Sequence, residues 1–110
     1  MYMTCFIEYE LDPTKLVQFN QYAKNWGAII PRLGGELIGY FTPYEGDNKR
    51  AYGLIAFNSL ADYEAYRIRL KADMQAQANF EFAQEEKFIL HEKRYFLNGV
   101  VETLKLTEVL

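Results

Sequence analysis

Apolar and polar positions alternate from Met3 to Leu11. Cys5, Ile7, Tyr9 and Leu11 share one side, and Thr4, Phe6, Glu8 and Glu10 share the other. A period of two predicts a strand, with the drier Cys5 side turned toward helices. Asp12-Pro13 then predicts a helix start, an N-cap followed by proline at the first helical position. Leu16, Phe19, Ala23, Trp26, Ile30 and Leu33 follow at spacings of 3, 4, 3, 4 and 3, an unbroken helical stripe. Pro31 predicts a kink or an early end to this helix, and Gly34-Gly35 its stop.

Glu36 to Pro43 alternates again, with Leu37, Gly39 and Phe41 opposite Glu36, Ile38, Tyr40 and Thr42. A polar turn around Glu45-Gly46-Asp47-Asn48 leads into a third strand, Ala51 to Phe57, and the two strands predict an antiparallel hairpin. Ser59 predicts the cap of a second helix, with Asp62 in the position of a capping-box partner. Leu60, Tyr63, Tyr66 or Arg67, and Leu70 form its expected buried stripe. A break near Ala72–Asp73 separates it from a shorter helical stretch, Asp73 to Glu86, which offers Met74, Ala78, Phe80 and Phe82 for burial. Lys87 to Leu97 reads as a fourth strand, and Asn98-Gly99 as a turn. Val100 to Leu110 has a β-like composition, read either as a fifth, edge strand or as an arm that reaches a partner.

The order strand, helix, strand, strand, helix, strand is the ferredoxin-like βαββαβ pattern of an α+β domain. It is a four-stranded antiparallel sheet with helices on one face. The domain is expected over residues 1–99, with 100–110 as a C-terminal extension. On this face assignment the other side of the sheet offers Phe6, Ile38 and Tyr40, mixed with Glu8, Glu36 and Glu92. Apolar patches of that kind mark interaction surfaces. The economical cover is a second copy, sheet against sheet about a two-fold axis.

Composition narrows the function classes. The 110 residues and 12.9 kDa amount to one domain with an ordinary share of apolar and charged side chains. Cys5 is the lone cysteine, which excludes an intramolecular disulfide and a multi-cysteine metal site; His91 is the lone histidine, which excludes sites needing two imidazoles. Twelve basic against fifteen acidic residues leave a net charge of −3, against the basic surplus of nucleic-acid binders. No stretch reaches the roughly 18 consecutive apolar residues of a membrane span. The N-terminus, with Glu8 and Glu10 in its apolar run, does not read as a signal peptide. The expectation is a cytoplasmic protein with a reduced cysteine and no metal or cofactor.

Thr4-Cys5-Phe6-Ile7-Glu8-Tyr9-Glu10-Leu11-Asp12-Pro13, then Phe19, Tyr22, Ala23 and Trp26, resembles the opening of the NIPSNAP family. Gly34-Gly35, Gly39-Tyr40-Phe41, Pro43, Glu45-Gly46, Ala51-Tyr52, Phe57-Asn58-Ser59-Leu60, Tyr63 and Tyr66 continue it, through to Glu92-Lys93-Arg94-Tyr95-Phe96. The resemblance implies a dimeric α/β barrel and no agreed catalytic constellation. Animal members are associated with mitochondria, trafficking and signalling; this short chain is similar to the small, single-domain bacterial members. A basic residue expected at the end of the first strand is Glu8 here, and the residues from Val100 onward have no family counterpart.

Candidate chemistry is sparse. His91 is the one side chain titrating near neutrality, and so the candidate for a general acid or base; it is equally read as a strand histidine without a role. Glu8, Tyr40, Glu92 and Arg94 are the candidate ligand-binding residues, with Arg94 as a clamp for carboxylate or phosphate. Glu8, Glu92 and Arg94 are also readable as a cross-strand ion pair or a network at the dimer seam. The many tyrosines suit an aromatic or acyl ligand, or else half-wet core edges. Arg67, Arg69 and Lys71 read as an exposed basic helix face. The function expected is a homodimeric barrel protein binding a small molecule. The alternatives are a cofactor-independent monooxygenase or isomerase, and a non-catalytic interaction module.

Overall fold

The computed structural model describes residues 2–104. Four antiparallel strands, β1 (Met3–Leu11), β2 (Glu36–Phe41), β3 (Arg50–Phe57) and β4 (Ile89–Asn98), form one sheet in the order β2-β3-β1-β4. Three helices, α1 (Leu16–Arg32), α2 (Leu60–Ala72) and α3 (Met74–Glu86), cover one face of it. This is the ferredoxin-like α+β arrangement. β1 is central, and its alternation decides what lies inside. Met3, Cys5, Ile7, Tyr9 and Leu11 are buried under the helices, while Phe6, Glu8 and Glu10 are half-buried on the open face.

The Asp12 carboxylate accepts hydrogen bonds from the Thr14 amide and hydroxyl, and a short 3₁₀ turn over Pro13–Lys15 leads into α1. α1 buries Phe19, Tyr22, Trp26, Ile29 and Ile30. Tyr22 and Ile29 therefore join the expected stripe, whose Leu16 and Ala23 lie at its half-buried margin. Pro31 does not end the helix early, since α1 runs through it to Arg32. It removes an N–H that would have bonded the Gly27 carbonyl, and Gly27 is on the exposed side, open to solvent. The stop comes at Gly34, whose φ of +102° is a backbone conformation that glycine adopts without a Cβ clash. Arg69 of α2 finishes the same terminus by donating from Nε to the Leu33 carbonyl at 2.8 Å. It is a tie between helices and not only part of an exposed basic face.

Ser59 accepts from the Asp62 amide and starts α2. Asp73 is the break: it ends α2, caps α3 by accepting from the Ala76 amide, and takes a two-pronged ion pair from Arg32 with both contacts at 2.9 Å. Burial along these helices departs from the stripe. Leu60 and Met74 are exposed, while Ala76 and Asn79 are buried. Asn79 is satisfied by Asn25 and the Tyr22 carbonyl, which tie α3 to α1.

β2 carries the main departure from simple alternation. Its register to β3 runs Leu37 opposite Ile55 and then Gly39 opposite Leu54, so Ile38 is an extra residue in a bulge. A bulge turns every later side chain to the other face. Tyr40, expected on the open face, is packed against the core under the helices, and Phe41 takes the open face in its place. Glu92 is also on the helix side, directly across from buried Tyr9. The strand ends at Phe41, before Pro43. Past β4, the Gly99 amide donates to the Tyr2 carbonyl and Val101–Thr103 form a 3₁₀ turn instead of the start of a fifth strand. Residues 105–110, where the rest of the expected strand or arm falls, lie outside the described residues.

Phe19 sits at the centre of this core, fully buried, with ring centroids 5.2 Å from Tyr9, 5.8 Å from Tyr22, and 6.2 Å from both Tyr40 and Phe88. Phe19→Ala is expected to cost about 3–5 kcal/mol in urea unfolding. Val17→Ala, two residues away and exposed, is expected to stay within about 0.5 kcal/mol of the parent. Equal effects would show that the α1 stripe does not organise the core.

Candidate functional site

A cleft opens between the helix-side face of the sheet and the three helices. Its floor is Cys5, Ile7 and Tyr9 of β1, Tyr40 of β2 and Ile55 of β3; its walls are Tyr22, Trp26 and Ile30 of α1, Tyr63, Tyr66, Arg67 and Leu70 of α2, and Phe80 of α3. Arg94 of β4 closes the lining. About 30 Å³ of it has room for water, which corresponds to one or two molecules.

Each side chain reaches the cleft for a local reason. Tyr9 follows from the alternation of β1, Tyr40 from the Ile38 bulge, and Arg94 from its place opposite buried Ile7. Gly53, next to Tyr40 on β3, makes room for the phenol: a Cβ there would stand 2.8 Å from Tyr40 Cε1. The Tyr9 and Tyr40 hydroxyls meet at 3.3 Å and share one hydrogen bond. Arg94 Nη2 donates to Glu92 Oε2 at 2.6 Å, an ion pair between residues on the same side of β4, each about one-third exposed.

The sheet divides the expected site residues. Tyr40, Glu92 and Arg94 are together on the helix side. Glu8 is on the open face, 3.6 Å from Arg50, which also draws in Asp47 at 3.4 Å and Glu10 at 3.9 Å. His91 is on that open face too, across from Glu10. The expected pairing of Glu8 with β4 is thus replaced by a pairing with β3, although Lys93 stands opposite Glu8 in the register. Among the described residues no group of three or more His, Cys, Asp and Glu side chains is placed to hold a metal ion. No described helix is long and apolar enough to cross a membrane. Tyr22, Trp26 and Phe80 enter the cleft without having been singled out as site residues. For Trp26 the α1 stripe was the available signal and for Phe80 the apolar residues of the Asp73–Glu86 stretch, while Tyr22 lies outside the expected stripe.

Burial shapes the titration of the lining. It pushes the Tyr22 phenol up to about 12, and the Tyr66 phenol likewise to about 12 against the opposing pull of Arg67 and Arg94. Tyr9 and Tyr40 are raised for the same reason, and the Cys5 thiol is raised by burial despite the two guanidiniums nearby. Burial works against the charge on Arg94, but the hydrogen bond and charge of Glu92 outweigh it and the guanidinium is held more firmly protonated. The cleft therefore presents neutral phenols, a neutral thiol and a fixed positive charge at pH 7.

Two outcomes are expected. In the folded state the phenols keep protons that an unfolded tyrosine sheds near pH 10. Their stabilisation is complete below about pH 10 and is lost as pH rises toward 12. Absorbance at 295 nm should then show part of the tyrosine ionisation arriving together with loss of the far-ultraviolet circular dichroism signal; full ionisation near pH 10 in a folded protein would mean the cleft is open to water. Gly53→Ala should destabilise by about 1–3 kcal/mol through the clash with Tyr40. The effect should shrink by more than half in a Tyr40→Ala background, because the two changes share one contact. Additive effects would separate Gly53 from the cleft.

The arrangement invites comparison with known proteins. The structure of an uncharacterised NIPSNAP-like domain protein from Burkholderia xenovorans superposes with a TM-score of 0.76 at 23% identity, covering 94% of this chain and 89% of that one. A NIPSNAP family protein from Agrobacterium tumefaciens gives 0.75 at 22% identity, over 91% and 94%. A dimeric protein of unknown function with a ferredoxin-like fold from Bacteroides fragilis gives 0.67 at 11%, over 89% and 96%. At these identities the likeness is one of fold. No protein with a curated description matches the chain. The NIPSNAP family model matches residues 3–101, nearly the whole sequence and all four strands, and the chain belongs to the NIPSNAP family.

Proposed function

We propose that this protein is a homodimer that binds a small molecule in the cleft between sheet and helices. The observation that carries the reading is the lining itself, where aromatic and aliphatic walls converge on a few polar groups, Tyr9, Tyr40, Arg94 and its partner Glu92. Ligand sites have this composition, a mostly apolar concavity with sparse, placed polar groups. Tyr40, Glu92 and Arg94 are the ligand-facing residues in this reading. Glu8 and His91 belong to the seam between copies.

The second copy covers the open face of the sheet. Phe6 packs beside Tyr52 and Tyr95, at centroid distances of 5.5 and 6.0 Å, in a band that continues to exposed Phe41 and Leu97. A two-fold axis through that band would place the same surface on both sides. The Bacteroides fragilis neighbour, described as dimeric, supports the choice of partner. Residues 1–99 form the functional domain in this reading and 100–110 an extension from it. The protein acts in the cytoplasm, where Cys5 stays reduced.

Native mass spectrometry of gently purified protein tests both halves. A species near twice 12.9 kDa, lost on Tyr95→Glu, is the expected result, and a retained mass would mark a cleft occupant. A monomer at tens of micromolar would overturn the paired-sheet reading.

A further inference from the structure

The two margins of the sheet are guarded differently. β2, at one margin, is six residues long, bulged at Ile38 and ended before Pro43, the usual ways of making an edge unfit for pairing. β4, at the other, is the longest strand, with ten residues and no proline. Its one irregularity is at the start, where Leu90 is an extra residue between Ile89 and His91, and from His91 to Asn98 its register is regular. Every residue from Leu90 to Asn98 is exposed, on both faces, with Leu90 at 57% and Phe96 at 50%. A regular strand with a free backbone edge and uncovered apolar side chains is a surface for another strand.

The charges along β4 indicate which strand. Lay it antiparallel against a second β4, about a two-fold axis that passes through Lys93 perpendicular to the sheet. Glu92 of each copy then falls opposite Arg94 of the other. Directly opposed side chains on one face are about 5 Å apart at Cβ, and opposite charges there are favourable. Glu92 and Arg94 already meet at 2.6 Å within each copy, so the contact makes a ring of two carboxylates and two guanidiniums in alternation. On the open side His91 falls opposite Tyr95, and only Lys93 meets its like. Each Lys93 has Glu8 across from it on its own β1. A mostly apolar trough between β4 and α3, lined by Tyr22, Phe80, Ala83 and Ile89, opens beside Leu90, and this register brings the second copy's Phe96 to its rim. Other registers are worse. Moving the axis to Glu92 sets the two carboxylates against each other and His91 against Lys93. Moving it to Arg94 sets the two guanidiniums against each other and Glu92 against Phe96. An axis between residues would oppose side chains of different faces.

We infer that β4 is a self-recognition edge, and that its occupant is the β4 of a second copy, antiparallel, in the register that pairs Glu92 with Arg94 both ways. The four strands of each copy then continue into one sheet, with the helices of both on the same side. The contact uses the strand edge and not the open face, so it stands or falls independently of the pairing proposed above. Being confined to one strand, it is the weaker of the two and forms at higher concentration.

Charge reversals followed by sedimentation velocity, from micromolar to millimolar concentration, test this. Glu92→Arg makes the edge positive at both positions, and Arg94→Glu makes it negative at both. The parent is expected to double its mass as concentration rises. Each single variant alone should lose that doubling, its self-association weakened about tenfold. Mixed in equal amounts, the two variants should regain it, because each then meets its opposite, and that recovery also shows that both are folded. The double variant Glu92→Arg/Arg94→Glu should associate like the parent. The open-face pairing does not follow these signs. If it fails, the parent starts from a monomer instead of a dimer, and the doubling is still read from that base. Single variants that double as the parent does would overturn the inference, as would folded variants that do not recover on mixing. No doubling of the parent up to millimolar concentration would overturn it too, and slow exchange of the β4 edge amides at micromolar concentration would show the edge closed by another segment of the same chain instead.

Discussion

Strict alternation along β1 governs the rest of the molecule. It is the central strand, hydrogen-bonded on both edges, so a shift of one residue would exchange its buried and open sides completely. With Cys5, Ile7, Tyr9 and Leu11 committed to the helices, the neighbours opposite them on β3 and β4 are committed too. Arg94 and Glu92 are carried to the helix side because Ile7 and Tyr9 are there, and His91 and Lys93 to the open side because Glu10 and Glu8 are there. The sheet thus sorts the charged residues of the strands into two chemistries that do not meet.

Against that constraint, β2 uses one extra residue to bring a phenol inward. Without the bulge at Ile38, Tyr40 would face away from Tyr9, and the pair of hydroxyls in the cleft floor would not form. The absence of a side chain at Gly53 is the complement of that change, since the ring lies over the space a methyl would fill. Phe19 then packs on both Tyr9 and Tyr40, so the same ring that organises the core also steadies the cleft. Stability and site share side chains here, and changes to one will be felt in the other.

How much of this is legible in the sequence follows from the same physics. The four strands, α1, the break at Asp73 and the ferredoxin-like order are readable because period two, period 3.6 and capping residues are local signals. The partition of β4 into Glu92, Arg94 and Phe96 on one side and His91, Lys93 and Tyr95 on the other is readable for that reason as well. Which of those sides meets the helices is not, because pairing register with β1 is a long-range property. The bulge has one mark in the sequence, Gly39 inside a strand pattern, but a glycine there does not fix where the extra residue falls, so the exchange of sides by Tyr40 and Phe41 is not readable from it. Pro31 misleads in the opposite direction: its local cost is real, but an exposed Gly27 absorbs it. Asn79 buries an amide where only apolar residues were looked for, since its partners are a side chain and a backbone carbonyl of another helix.

β4 lies at one margin of the sheet, with one of its backbone edges unpaired among the described residues. An unguarded strand there, with Leu90 before and Tyr95, Phe96 and Leu97 after, would be a template for uncontrolled pairing with other chains. The run His91-Glu92-Lys93-Arg94 interrupts it with polar and charged groups on both faces. The residues that give the cleft its charge therefore also serve as gatekeepers against fibril-like association, and any redesign of the cleft toward neutral ligands would remove part of the molecule's protection against aggregation.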